Sequence, residues 1–137
     1  MESPKDLTHQ WFERVWNQLD ETAILELMHP DGEILGLGTT VVGREGFRGY
    51  HRAFRRGFDQ IRIEIVDIVA EEHSVAGHSR FSALHRESGR EVDIFLSFAG
   101  RFEDGKLRWM RHVVDFTALL SQVGTLDPRS VNLLFES

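Results

Sequence analysis

The stretch that decides the fold runs from Glu91 to Asp115, EVDIFLSFAGRFEDGKLRWMRHVVD. Asp104-Gly105 divides it into two runs of alternating character. An Asp-Gly pair between such runs is a strong short-range signal for a two-residue hairpin loop. Side chains alternate along a strand, so the loop sets which residues share a face. Glu103 then faces Lys106 and Phe102 faces Leu107. Continued without interruption, Phe98 faces Arg111, Leu96 faces Val113 and Ile94 faces Asp115. One side holds Phe102, Phe98, Leu96 and Ile94 with Leu107, Trp109, Arg111, Val113 and Asp115. The other holds Phe95, Ala99, Arg101, Arg108, Met110, His112 and Val114. The first side is more apolar and is expected to face the helices. Arg111 and Asp115 become polar groups in an apolar layer, about 13 Å apart along an extended strand. Burying either without a partner is unfavourable, which a shared cavity would resolve. The second side is half apolar and suits a homodimer surface, with Met110 and Val114 at its centre.

The hairpin is preceded by more strands and by helices. IRIEIVDIV, from Ile61, alternates with period two, and SVAGHSRFSAL, from Ser74, is a further strand. Its His78 and Arg80 are expected to point outward, opposite Val75 and Phe81. Ser88-Gly89 is a turn. Upstream, Ser3-Pro4 followed by Asp6 opens a helix on which Leu7, Trp11, Val15 and Leu19 recur at helical spacing. Asp20 caps a shorter second helix, closed at Pro30. Asp31-Gly32 reads as a turn, and EILGLGTTVV as an irregular strand plus loop. A third helix follows Gly43, its stripe formed by Phe47, Tyr50, Phe54 and Phe58, with His51 among them and four arginines largely off it. After Asp115, FTALLSQ is a short helix stopped at Gly124. Helices followed by a run of antiparallel strands define an α+β domain. One domain over residues 1–137 is expected, with 125–137 as a tail carrying Val131, Leu133, Leu134 and Phe135.

Composition removes several function classes. The 137 residues carry a formal charge of −6, which disfavours nucleic acid and anionic membranes as partners. There is no cysteine, so thiol nucleophiles and disulfides are excluded. The seven histidines show no compact ligand spacing, so no metal is expected. MESPKDLTHQ has no apolar signal core and no run is long enough for a membrane span, so a cytoplasmic protein is expected.

FEDGKLRWMRHVVDFTALLSQVG resembles the C-terminal signature of SnoaL-like polyketide cyclases: an aromatic-acid-Asp-Gly-Lys turn, a strand ending in Asp, then Leu-Leu-x-Gln-x-Gly. GREGFRGYHRAFRRGFDQIRIEIVDIVAEEHSVAG is similar to the portion that precedes it. The resemblance covers about His29 to Gly124. It implies the fold of the nuclear-transport-factor-2-like superfamily: a cone-shaped α+β barrel in which a curved antiparallel sheet wraps around N-terminal helices, with a deep pocket and frequent homodimers. It also implies a pocket carboxylate serving as general acid/base without metal or cofactor, and the corresponding acid is Asp115. Arg111 stands where many relatives have tryptophan.

Asp115 and Arg111 are thus the catalytic candidates, as base and as electrophile or ligand anchor. The structural alternatives are a cap for FTALLSQ and an internal ion pair. His51 is either a core histidine or a second acid/base. Trp16, Trp109, Phe98 and Phe54 are candidate aromatic walls for a substrate, and His29 sits beside a turn at the cavity mouth. Two functions fit: a cofactor-free cyclase- or isomerase-type enzyme on a small hydrophobic carbonyl compound, or a non-catalytic apolar-ligand-binding or dimerisation module. An open cavity lined by Asp115 favours the first. Asp115 spent on backbone amides, with a filled interior, favours the second.

Overall fold

The computed structural model describes residues 2–38 and 41–134. Helix α1 (Pro4–Gln10) starts as its sequence dictates: the Ser3 hydroxyl accepts from the Asp6 N–H at 3.1 Å, and proline fills the first turn. The helix then widens into a π-helical segment, Trp11–Asn17. The wider turn brings Trp11, Phe12, Val15 and Trp16 into the core together, which a regular amphipathic stripe does less well. Leu19 ends it with φ +53, and Asp20 N–H returns to the Arg14 carbonyl at 2.9 Å. The Asp20 carboxylate then caps α2 (Glu21–Leu27) through Thr22 N–H.

Strand β1 (Met28–Leu35) follows at once. It runs through Asp31-Gly32, where a turn was expected; its register against its neighbour shifts there between Met28 and Glu33. A two-residue β2 (Val41–Val42) pairs back on it. Helix α3 (Gly43–Gly57) buries Phe47 and His51 and leaves its arginines outside. Then come β3 (Phe58–Glu71), β4 (Ser74–His85), β5 (Arg90–Glu103) and β6 (Lys106–Val114), α4 (Phe116–Gln122) and a 3-10 turn at Pro128–Leu134. Leu133 and Leu134 are exposed, and Phe135 lies outside the described residues.

The strands form one curved, open sheet in the order β2-β1-β6-β5-β4-β3. Its pairs are antiparallel except β1–β6, which is parallel. This return of the first long strand beside the last extends the open sheet over the helices. Where β6 no longer covers β5, the Gln122 side chain takes its place: its amide donates to the Asp93 carbonyl at 2.9 Å and its oxygen accepts from Asp93 N–H at 2.7 Å. That contact fixes α4 against the sheet.

The hairpin turn forms as expected, with Asp104 at φ +53 and Gly105 at φ +76, and with Glu103 opposite Lys106 and Phe102 opposite Leu107. The register beyond it does not continue as expected. Arg101 pairs with Trp109, so Arg108 is an extra residue in β6, a β-bulge. Every later residue of β6 is thereby turned over. Met110, His112 and Val114 face the helices, whereas Trp109, Arg111 and Val113 face outward. The bulge has a physical reason. It moves the Arg111 guanidinium from an apolar layer into water, brings His112 opposite Phe98 in its place, and buries Met110 fully against Gly100. Arg108 itself stays outside, donating to the Asp31 carbonyl at 2.6 Å. On β5 the expected faces stand: Ile94, Leu96, Phe98 and Phe102 are buried. Met110 and Val114 therefore cannot form an outer surface; Phe95 and Val113 do, exposed by 61% and 67%. His78 and Arg80 point outward, as their strand's alternation implies.

Candidate functional site

Between the sheet and the helices lies a small hollow of about 60 Å³. It is a narrow slot, lined almost entirely by aromatic and aliphatic side chains. Trp16 comes from the π-helical segment, and Tyr50 and Phe54 from successive turns of α3. The sheet supplies Phe81, Leu96 and His112, and Phe116 and Leu119 of α4 stand opposite Leu37 of the β1–β2 loop. The walls are aromatic by construction. Trp16 packs on Phe54 at 5.3 Å, and Phe54 on Phe81 at 5.6 Å, both edge-on.

Two side chains give this lining its chemistry. His112 is the cross-strand partner of Phe98 and is almost completely buried. Burial alone pushes its imidazole down to about 4, so it is neutral at pH 7. Among the described residues its Nδ1 has no hydrogen-bond partner. A buried, unpaired imidazole nitrogen is costly unless something polar comes to meet it. The second is Tyr50, whose hydroxyl donates to the Leu37 carbonyl at 3.2 Å; burial raises its pKa, so it remains a phenol. Among the described residues no carboxylate lines the hollow.

His112 is also where the chain comes closest to itself. Gly36, at φ +88, crosses β6 so tightly that a Cβ there would stand 1.8 Å from the His112 carbonyl oxygen. Only glycine tolerates both that approach and that φ.

Of the residues expected at the site, Trp16 and Phe54 line the hollow. The others stand elsewhere. Arg111 is exposed on the outer face opposite Ala99, for the reason given above. Asp115 is exposed and caps α4, its Oδ1 accepting from Ala118 N–H at 3.0 Å. The cap satisfies an otherwise orphaned helix N–H, and it leaves the carboxylate outside the hollow. His51 sits behind Trp16, ring centres 5.1 Å apart, and its Nε2 donates to the Val15 carbonyl at 2.7 Å. That bond fixes the proton on Nε2, and burial holds the ring's pKa below its usual value. Phe98 is buried one layer back against Phe12 at 5.2 Å. Trp109 is half-buried on the outer side beside Glu33 of β1. His29 is turned to its own loop, Nδ1 accepting from Asp31 N–H at 3.0 Å. The sequence reading missed His112 and placed it on the outer side. One residue of register separates it from Arg111.

A helix layer wrapped by an open, curved, mostly antiparallel sheet, with an apolar hollow between them, defines an α+β class of fold. The chain belongs to the SnoaL-like domain family, whose model matches residues 8–110. Solved structures agree on the fold. A protein of Catenulispora acidiphila with a ketosteroid isomerase-like fold, solved in complex with trimethylamine, is 15% identical at TM-score 0.81, covering 91% of this chain and 96% of that one. IdmH from Streptomyces antibioticus is 24% identical at TM-score 0.80, covering 90% of this chain and 99% of that one. A SnoaL-like polyketide cyclase of Agrobacterium tumefaciens is 19% identical at TM-score 0.77, covering 90% of this chain and 100% of that one. No curated protein matches the chain in sequence. Among the described residues no helix is long and apolar enough to cross a membrane, and no group of three or more His, Asp or Glu side chains is placed to hold a metal ion.

Proposed function

We propose that the protein is a cyclase- or isomerase-type enzyme for a small, uncharged, largely aromatic carbonyl compound, with His112 as its proton-handling group. The observation that carries this reading is the neutral, unpaired imidazole of His112 in an otherwise apolar slot. A neutral ring has one N–H and one lone pair. The lone pair takes the proton from the carbon next to the ligand's carbonyl, leaving an enolate and an imidazolium. The enolate carbon then attacks a second carbonyl of the same molecule, leaving an alkoxide, or, where the ligand carries a carbon–carbon double bond next to that position, the dienolate offers its far carbon for the proton. The imidazolium returns its proton to the resulting oxygen or carbon, and the ring is neutral again. Burial makes the imidazolium a strong acid, which favours the return step, and the adjacent enolate offsets its formation. Family membership and the polyketide cyclase among the structural relatives support the reaction class.

A second reading has its own observation: Asp115 is committed to a backbone amide and, among the described residues, no carboxylate reaches the slot. On that reading the protein binds an apolar ligand without transforming it. One experiment separates the two. Hydrogen–deuterium exchange next to the carbonyl of a panel of aromatic ketones is followed by NMR, with binding followed by tryptophan fluorescence. Wild type should accelerate exchange. His112→Leu should lose about 100-fold or more of that rate. Asp115→Ala should exchange at the wild-type rate and lose only about 1 kcal/mol of stability, the worth of a cap. Undiminished exchange in His112→Leu overturns the assignment of His112. Binding without exchange in wild type leaves the binding module.

The outer sheet face is a second proposal. Phe95 and Val113 lie one diagonal step apart and are the large apolar groups exposed there on β5 and β6. We assign this face to a second copy of the chain, since a self-complementary patch is what a two-fold dimer needs. Phe95→Asp combined with Val113→Asp should halve the mass seen by sedimentation; a wild type that sediments as a monomer rejects the dimer.

A further inference from the structure

Where α3 runs into β3, an open cleft of about 340 Å³ lies outside the hollow. Arg52, Arg55 and Arg56 line it from the last turns of α3, and Arg86 from the β4–β5 turn. Among the described residues Asp59 is its one acidic lining residue. Four guanidinium groups thus face one carboxylate, in a chain whose formal charge is −6. Three of these arginines are neighbours on α3, and the fold brings Arg86 to them from the β4–β5 turn.

The neighbouring acids leave much of that charge unmatched. Asp59 is engaged by Arg86. Glu21, at the edge, is shared between Arg52 at 2.6 Å and Arg48 at 3.1 Å. Among the described residues Arg55 and Arg56 have no carboxylate within ion-pair distance. Like charges gathered in a concavity repel, and low-dielectric walls focus their field on whatever anion enters. Guanidinium forks match phosphate oxygens in pairs, and more than one fork matches a doubly charged head group. The cleft also has an apolar side, Leu19 and Phe58. Phe58 stacks on Phe54 at 4.6 Å, so its ring is held in place and backs directly onto the wall of the hollow.

We infer that this cleft is a binding site for a phosphate monoester, the phosphate on the unmatched arginines and the organic group against Phe58. The site does not depend on what the hollow binds. Calorimetric titration of the full chain with phenyl phosphate, inorganic phosphate and benzyl alcohol tests it. Phenyl phosphate should bind at about millimolar or tighter and weaken as salt is raised. Inorganic phosphate should bind more weakly, and benzyl alcohol should not compete. Arg55→Gln with Arg56→Gln should weaken phenyl phosphate about tenfold or more, since charge-assisted hydrogen bonds to the phosphate are lost. Arg55→Lys with Arg56→Lys keeps the charge, removes the fork, and should fall between. Melting temperature and ligand binding in the hollow should be unchanged in both. No binding to wild type, or full affinity in the glutamine variant, overturns the site. Equal binding of inorganic phosphate overturns the assignment to an ester.

Discussion

Gly36→Ala is expected to be the most damaging single-methyl change in the protein, costing about 4 kcal/mol or more. Two costs combine. The backbone at Gly36 has φ +88, a conformation that L side chains rarely adopt. The added Cβ would also stand 1.8 Å from the His112 carbonyl oxygen and 2.8 Å from its carbon. That oxygen belongs to β6 in the middle of the sheet, so it cannot swing aside as a side chain would. Gly89→Ala separates the two costs. Gly89 has φ +70, and a Cβ there meets nothing within 4 Å. It should lose only the conformational part, about 1 kcal/mol. Urea midpoints of the two variants measure the difference. Equal losses would mean that the chain does not pass so close to β6 at Gly36. A larger loss at Gly36 also matters for function, because the same contact fixes the strand position from which His112 enters the hollow.

The comparison of Gly36 with Asp104-Gly105 shows which parts of this fold its sequence displays. Local signals were legible: the Ser3 and Asp20 caps, the Asp-Gly hairpin, the two-residue alternation of β3 to β5, and the stripe on α3. Each depends on residues within a few positions of one another. The bulge at Arg108 was not legible, because nothing in KLRWMR marks an extra residue. What selects it is the comparison of two registers in the assembled layer. One buries an unpaired Arg111; the other buries Met110 and leaves Arg111 in water. That single residue exchanged the expected site pair for His112 and converted Met110 and Val114 from surface to interior. The apolar inward positions of β5 survived because they lie before the bulge. Asp115 was recognisable as either a base or a cap, and its proximity to Ala118 N–H decides for the cap. The parallel pairing of β1 with β6 joins residues far apart in sequence and has no local signature.

The stability of the protein should fall by about 3 kcal/mol more in wild type than in His112→Leu as pH is lowered from 7 to 4. In the unfolded chain His112 takes up a proton as pH falls through its ordinary 6.5; in the folded chain burial holds it off until about 4. Between those values the unfolded state binds more protons, so stability rises with pH across the window. It is fully present above 6.5 and is lost progressively toward 4. His51 is shifted in the same direction by burial, so it adds to the slope in both proteins and cancels from their difference. The same holds for Asp20, Glu21 and Asp93, whose partners hold them below the usual carboxylate range and whose contribution is lost only at still lower pH. Urea unfolding at a series of pH values for the two proteins isolates the one imidazole. Parallel curves would show that water or a charge reaches His112 in the folded protein. The proton chemistry proposed for the slot would then lose its basis, since a solvated histidine would neither remain neutral near pH 5 nor give its proton back so readily.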